Sequence, residues 1–217
     1  FCPQPNLSAA LAAVLGSLPP PGARRLWLAA EDSFPSLGFV LQQARRLGFE
    51  LRLIPRRYSP ANLQSWEQAL SSEVCGALVT HVHSNTGAVA PLEQLLPLCR
   101  ERGVLSVVDV AQSAGILPLD LSRLGADIVL GSCVKWLCGG PGAGFLWASD
   151  EIVARLDPMA IGWFSHEDPF EFDIHSYRPA PDARRFWGGT PSVAEYAAAA
   201  ASLRVLQQIG AVNLRAH

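Results

Sequence analysis

The feature that most constrains the fold of this chain is a regular alternation of short apolar segments with longer amphipathic ones. The apolar segments have the length of buried strands, and the amphipathic ones have helical spacing. The predicted strands cover residues 24–29, 49–55, 76–80, 104–108, 127–130 and 142–147. The predicted helices cover residues 38–47, 59–70, 91–102, 119–124 and 192–208. This alternation predicts an α/β fold with a mostly parallel sheet flanked by helices on both faces.

Composition excludes several classes of partner. The net charge of −2 gives no electrostatic basis for binding nucleic acid or an anionic membrane. No apolar run is long enough to cross a bilayer, and residues 1–5 lack the features of a signal peptide. The five cysteines are scattered and lack the spacing of a zinc site, so we predict reduced thiols, a cytoplasmic protein and no metal.

A single lysine stands out among the basic residues. Lysine and arginine together number 17, and Lys135 is the one lysine. Arginine stays protonated in proteins, whereas a buried lysine can lose its proton and act as a nucleophile or form an imine. We therefore interpret Lys135 as a functional residue at a buried position; chance retention of one surface lysine is the alternative.

Three polar clusters follow neighbouring predicted strands, at residues 80–87, 109–113 and 131–135. Ligands of open parallel sheets bind at the carboxyl ends of the strands. Asp109, Gln112 and Lys135 suit pyridoxal 5′-phosphate (PLP). A carboxylate keeps the pyridine nitrogen protonated, an amide can bond the ring's 3′ oxygen, and a lysine forms the imine. A helix cap for Asp109 and a surface amide for Gln112 are the structural alternatives.

The surrounding motifs resemble a known family. Residues 108–115 and 131–142 resemble the signature of class V aminotransferase-fold PLP enzymes, a group that includes cysteine desulfurases and kynureninases. The resemblance to kynureninase is carried by residues 34–36, 162–166, 170–173, 177–181 and 184–191.

The resemblance implies the large domain of PLP-dependent transferase fold type I. It makes residues 1–160 the PLP-binding core. Residues 161–217 become an active-site and dimer-interface segment with a connecting helix. The small domain, which supplies an arginine for the substrate carboxylate, is expected to be largely missing from these 217 residues.

The resemblance also implies roles for individual residues around the cofactor. Lys135 becomes the imine-forming catalytic residue and Asp109 the partner of the pyridine nitrogen. Phe34 would stack on the ring, although a core position is its alternative, and Ser132 would bind the phosphate. Gln112 and Asn85 would contact the 3′ oxygen or the ring, as in cysteine desulfurase-like enzymes.

Further roles concern the substrate and a second subunit. Trp163 and Gly189 would line the substrate pocket, with Trp163 reaching across the dimer interface. Thr190 would bind the phosphate of the neighbouring subunit. The resemblance therefore implies a homodimer with shared active sites. His81 and His83 are expected to be solvated or capped rather than catalytic.

The chain departs from kynureninases at four positions. Those enzymes typically have histidine, tyrosine, aspartate and a phosphate-binding threonine where this chain has Gln112, Val134, Leu37 and Gln4. The leading prediction is a kynureninase-like hydrolase or lyase acting on kynurenine or a related amino acid. The alternatives are a class V aminotransferase, a cysteine desulfurase-type enzyme and a catalytically inactive homologue.

Overall fold

The computed structural model describes residues 1–210, 213 and 214. Its described part contains one seven-stranded sheet. The strands are β1 (Cys2–Gln4), β2 (Leu26–Ala30), β3 (Glu50–Ile54), β4 (Val74–Thr80), β5 (Leu105–Asp109), β6 (Ile128–Ser132) and β7 (Gly144–Ala148). The helices are α1 (Leu7–Gly16), α2 (Pro35–Gln43), α3 (Leu63–Ala69), α4 (Leu92–Glu101), α5 (Leu121–Leu124), α6 (Asp150–Val153) and α7 (Ala194–Ile209). Short 3₁₀ helices cover Ala44–Leu47, Trp163–Ser165 and Ala183–Phe186.

The sheet is mostly parallel, with the order β1-β7-β6-β5-β4-β2-β3. Strands β2 to β6 run in the same direction, β7 is antiparallel to β6, and β1 is antiparallel to β7. It follows that β1 runs in the same direction as β6. The predicted α/β fold with a mostly parallel sheet is confirmed.

Helices cover both faces of the sheet, and each face has its own core. Along β4, Leu78 belongs to the apolar cluster that contains Trp27 and lies against α1 and α2. Ala77 and Val79 belong to the opposite cluster, which contains Trp66 and lies against α3 and α4. Burial on both faces explains why the central strands are continuous apolar runs rather than alternating ones.

The structure corrects several predicted elements. Strand β1 and helix α1 were not predicted at all. The segment 142–147 does form a strand, but an antiparallel one. The helix expected over 59–70 begins at Leu63, because the side chain of Asn62 caps it by accepting the N–H of Gln64. Within the described part of the chain, no helix combines the length and apolar composition needed to cross a bilayer.

Candidate active site

The carboxyl ends of the parallel strands bring the predicted clusters to one edge of the sheet. Thr80, the last residue of β4, is paired in register with Asp109, the last residue of β5. On the other side, Ser132 of β6 lies opposite Gly144 of β7, which lies opposite Gln4 of β1. The acid, the serine and the start of the lysine loop therefore share this edge.

Asp109 is a buried carboxyl group at the centre of this edge. Its Oδ1 accepts the N–H of Ala111 at 2.9 Å, which is the local contact expected of a cap. Burial nevertheless raises the pKa of Asp109 to about 6, and the hydrogen bond from Ala111 offsets only part of that effect. A cationic N–H donor would stabilise such a carboxylate, and a protonated pyridine nitrogen is a donor of that kind.

Gln112 lies in the turn after β5 and is half-buried. Its Oε1 accepts the indole N–H of Trp136 at 3.1 Å, so it is not simply a solvated surface amide. This bond joins the turn after β5 to the turn that carries the lysine.

Lys135 lies in the loop between β6 and β7. The N–H of Cys138 donates to the carbonyl of Lys135 at 2.9 Å, and the N–H of Gly139 donates to that of Cys133 at 2.7 Å. The lysine side chain is exposed, as are the flanking Val134 and Trp136. The expectation that Lys135 is buried is therefore wrong for the single chain, because residues 134–136 lie on the outer side of this turn.

Helix α7 holds the lysine loop in place. The hydroxyl of Ser202 donates to the carbonyl of Leu137 at 2.6 Å. Gly139 lies directly against Ala199, the one buried residue of this helix. Tyr196 donates its hydroxyl to the carbonyl groups of Gln4 and Gly144, at 2.8 and 2.9 Å.

A side chain at position 139 should disturb this packing. A Cβ on Gly139 would lie 2.8 Å from both the Cα of Ala199 and the Cβ of Cys133. Because a backbone atom cannot rotate away, we expect Gly139→Ala to lower the free energy of unfolding by about 1–3 kcal/mol in a urea titration. Gly38→Ala is the matched control, since nothing lies within 4 Å of that position. Equal stability of the two variants would contradict the proposed contact.

The N-terminus of α1 is a feature that the sequence analysis overlooked. Asn6 caps this helix by accepting the N–H of Ala9 at 2.9 Å. The Cα of Asn6 would lie 3.4 Å from a Cβ on Gly144, which places the helix N-terminus beside Ser132. Helix N-termini carry free N–H groups and partial positive charge, both suited to a phosphate. The signal in the sequence is an asparagine directly before an apolar helical run.

The side chain of Gln4, which stands where kynureninases have a threonine, is bonded within the protein. This side chain is buried, and its Nε2 donates to the carbonyl of Phe186 at 3.1 Å. Ser132 is buried at the end of β6, where its hydroxyl accepts the N–H of Val134 at 3.4 Å. Of these two side chains, Ser132 is the one suited to a phosphate.

Phe34 lies at the start of α2 and its side chain is 52% exposed, which is contrary to the core alternative. The hydroxyl of Thr80 donates to the hydroxyl of Ser33, the residue before Phe34, at 3.3 Å. This bond holds the start of α2 next to the end of β4. Asn85 is exposed in a tight turn between His83 and Ala88. The exposed Phe34 is available to an aromatic ring, and the role of Asn85 stays a prediction.

His81 and His83, which were expected to be solvated or capped, are both buried, so they are not solvated. The Nδ1 of His83 lies 3.3 Å from the Oδ1 of Asp32, and its Nε2 has no hydrogen-bond partner among the described residues. The Nδ1 of His81 likewise has none there, and burial lowers the pKa of this imidazole. Sequence spacing gave no indication of the Asp32–His83 pair, because its members lie on different loops.

The residues predicted to meet the substrate lie in the irregular segment between β7 and α7. Trp163 is 36% exposed and lies next to the point where Gly162 contacts Gly188. Gly189 and Thr190 are exposed and line a cavity of about 280 Å³. Gln4, Gly142 and Tyr196 also line that cavity. The cavity therefore adjoins the row of paired residues Gln4, Gly144 and Ser132 on β1, β7 and β6.

The residues present fit PLP. A desolvated carboxyl group stands at Asp109. The N-terminus of α1 and the hydroxyl of Ser132 lie together. The lone lysine lies in the loop that follows β6. Anion binding, a partner for a cationic nitrogen and an amine are the three functions that this cofactor requires.

Comparison with known proteins agrees with this reading. The family model "Aminotransferase class-V" matches residues 9–217. The chain is 35% identical to a kynureninase of Deinococcus radiodurans over 193 residues, which cover 88% of the chain and 46% of that protein. It is 33% identical over 213 residues to the uncharacterised aminotransferase YcbU of Bacillus subtilis, covering 98% of the chain and 55% of that protein.

Solved structures show the same fold. The cystine C–S lyase C-DES, solved with its product cysteine persulfide, superposes with a TM-score of 0.86 at 26% identity. The match covers 96% of this chain and 56% of the lyase. A variant of that lyase has been solved with glycine covalently linked to its PLP cofactor. The chain thus spans about half the length of the relatives it matches.

Proposed function

Because the chain belongs to the aminotransferase class-V family of PLP-dependent enzymes, we propose that it is the cofactor-binding part of a kynureninase-like hydrolase. Its substrate is kynurenine or a related aromatic amino acid. In this proposal, residues 1–160 form the PLP-binding core. Residues 161–217 form the active-site and dimer-interface segment with the connecting helix, and residues 211, 212 and 215–217 lie outside the described residues. The similarity to a kynureninase over 88% of the chain supports this choice.

The observation that carries the proposal is a cluster of accessible aromatic rings in this segment. The ring centroid of Trp163 lies 4.4, 5.8 and 6.4 Å from those of Phe164, Phe170 and Phe172. Phe170 and Phe172 are 69% and 77% exposed. Exposed apolar patches of this kind mark interaction sites, and aromatic side chains favour offset or edge-on contact with another ring. An aromatic substrate is well matched to such a surface.

The cluster is connected to the cofactor edge of the sheet. The N–H of Phe164 donates to the carbonyl of Gly188 at 3.3 Å, and Gly162 lies so close to that same oxygen that a Cβ there would clash with it. The next two residues, Gly189 and Thr190, line the cavity beside Gln4. The aromatic cluster and the row ending at Ser132 therefore belong to one continuous region.

Each residue at the edge has a chemical task in this proposal. When bound, PLP acts as an electron sink for negative charge that develops on the substrate. Asp109 keeps a proton on the pyridine nitrogen, and Gln112 donates to the 3′ oxygen. Ser132 binds the phosphate together with the N-terminus of α1. The Nζ of Lys135 would carry a proton to and from the reacting carbon of the substrate.

We also propose that two copies of the chain share their active sites in the cytoplasm. Thr190, Lys135 and the rings of Phe170 and Phe172 are exposed in the single chain, which supports a second subunit covering them. The five cysteines are all unpaired, in agreement with a reducing compartment.

The test is a comparison of substrates with PLP-loaded protein. We expect hydrolysis of kynurenine to alanine and an aromatic acid, detected by chromatography, and no release of sulfide from cysteine. Turnover should be slow, because these residues span only about half the length of the relatives that the chain matches. Turnover of cysteine without turnover of kynurenine would overturn the proposal. Failure to bind PLP would favour an inactive homologue.

A cysteine desulfurase or lyase is the second candidate, and Gln112 favours it. Gln112 matches desulfurase-like enzymes, and the similarity to the cystine lyase is high. A desulfurase also needs a nucleophilic cysteine. Burial raises the pKa of Cys133, beside the lysine, which makes it a poor nucleophile. We rank this candidate below the kynureninase-like one, because the chain is 35% identical to a kynureninase and 26% identical to the lyase.

A further inference from the structure

We propose that Trp136 is a positioning residue that fixes the side-chain amide of Gln112, so that the NH₂ group faces the 3′ oxygen of the cofactor. This inference rests on the proposed function, because it requires PLP at the edge of the sheet. It concerns a residue for which the sequence analysis gave no role. The contact that carries it is the 3.1 Å hydrogen bond between the Trp136 indole and the Gln112 amide.

The chemistry of the indole decides which end of the amide it meets. A tryptophan N–H can only donate, whereas a glutamine amide has an accepting oxygen and a donating NH₂ group at opposite ends. Trp136 must therefore bind the oxygen of Gln112, and the two N–H donors of Nε2 are left for another acceptor. An amide without this contact could turn over and present its oxygen instead. A phenolic 3′ oxygen, which carries negative charge, requires the donor.

The backbones of the two turns are packed closely enough to hold this pair. Gly115 has a φ of 92°, in the region that favours glycine. A Cβ there would lie 3.0 Å from the carbonyl oxygen of Trp136 and 2.9 Å from the Cδ2 of Leu137. The turn after β5 thus lies directly against the residues that follow Lys135. The indole and the amide meet because both turns are fixed.

Packing in the core does not explain Trp136. Its side chain is 50% exposed, and it belongs to none of the apolar clusters in the described part of the chain. Among the described residues, Gln112 is the one hydrogen-bond partner of the Trp136 indole N–H. The two residues are 24 positions apart in the sequence. A half-exposed tryptophan beside the lone lysine, with its polar atom on the candidate site, is best accounted for by that polar contact.

The test measures the pH dependence of the visible absorption of the PLP-bound protein. A donor to the 3′ oxygen stabilises its anionic form and so lowers the pH midpoint at which the band changes. Trp136→Phe removes the N–H but keeps an aromatic ring. We expect it to raise the midpoint by roughly 0.5–1 pH unit, which corresponds to the loss of one ordinary hydrogen bond. Trp136→His, which retains a ring N–H, should have a midpoint between those of wild type and Trp136→Phe.

A double-mutant cycle tells whether Trp136 acts through Gln112. Gln112→Ala should shift the midpoint as much as Trp136→Phe does or more, and the double variant should match Gln112→Ala. Trp147→Phe is the matched control, because Trp147 lies toward the opposite edge of the sheet, paired with Val129. In cofactor-free protein, the NMR signal of the Trp136 indole N–H should move in Gln112→Ala and stay in place in the control.

The outcomes separate this inference from the proposed function. If the wild-type chain shows no visible band with PLP, the proposed function fails and this inference fails with it. If the band forms but Trp136→Phe titrates like wild type, the positioning role alone is overturned. Additive shifts in the double variant would likewise overturn it, because the two side chains would then act independently.

Discussion

Lys135→Ala is expected to abolish the visible band that the wild-type chain develops with PLP, and to lower turnover by about 10²–10⁴-fold or more. A factor of about 10²–10⁴ is the effect of losing one positioned proton carrier, and loss of the covalent link to the cofactor lowers turnover further. Because the side chain is exposed, the free energy of unfolding of cofactor-free protein should change by no more than about 0.5 kcal/mol. Absorbance spectroscopy and urea unfolding measure the two effects.

The composition of the chain makes this experiment unusually clean. Lys135 is the one lysine of the sequence, so reduction of the PLP complex with borohydride should label this residue, and mass spectrometry can separate it from the N-terminal α-amino group of the protein used. Lys135→Arg is the control for charge, since a guanidinium cannot lose its proton. A variant with arginine at position 135 that keeps the band, or a label found on the N-terminal amine alone, would overturn the assignment.

Asp109→Asn is expected to have opposite effects on stability and on cofactor binding. Burial raises the pKa of the Asp109 carboxyl from about 3.8 to about 6 in the folded chain. A raised pKa means that the folded state binds the proton more tightly than the unfolded state. The contribution of Asp109 to stability is therefore complete below about pH 4 and lost as the pH rises through about 6. At pH 8 the folded chain holds a buried, ionised carboxylate.

An amide at position 109 avoids that cost while keeping the acceptor for Ala111. We expect Asp109→Asn to raise the free energy of unfolding of cofactor-free protein at pH 8, by an amount on the order of 2–3 kcal/mol. The gain should shrink toward pH 5. The same variant should bind PLP less well or leave it inactive, because a neutral amide does not hold a proton on the pyridine nitrogen. Urea unfolding at several pH values and PLP titration measure these effects.

The control is the same substitution at an exposed acid. Asp120 caps α5, and its hydrogen bond with Ser122 lowers the pKa of its carboxyl. Asp120→Asn should therefore give no gain in stability at pH 8. Burial lowers the pKa of His81, so wild type also loses stability below about pH 6.5. Comparing each variant with wild type at the same pH removes that contribution. A cofactor-free Asp109→Asn less stable than wild type at pH 8 would contradict the prediction.

The fold class and the positions of the main chemical groups along the chain could be predicted from the order of the residues. Apolar runs such as that of β4 indicate burial on both faces, and this is a local property of consecutive residues. Strand direction follows from the helices between strands, so the carboxyl ends meet at one edge. Asp109 and Gln112 could therefore be placed near Lys135 from their position after successive strands.

Contacts between segments that are distant in sequence could not be predicted in this way. The three-residue β1 is too short to show a period, and only pairing with β7 makes it a strand and brings the N-terminus of α1 to Ser132. The bond between Trp136 and Gln112 likewise joins separate loops. Such contacts depend on how separate turns pack against each other, and the local residue pattern of one turn does not encode its distance from another. The exposure of Lys135 was missed for the same reason, because burial of a loop residue is set by what packs above it.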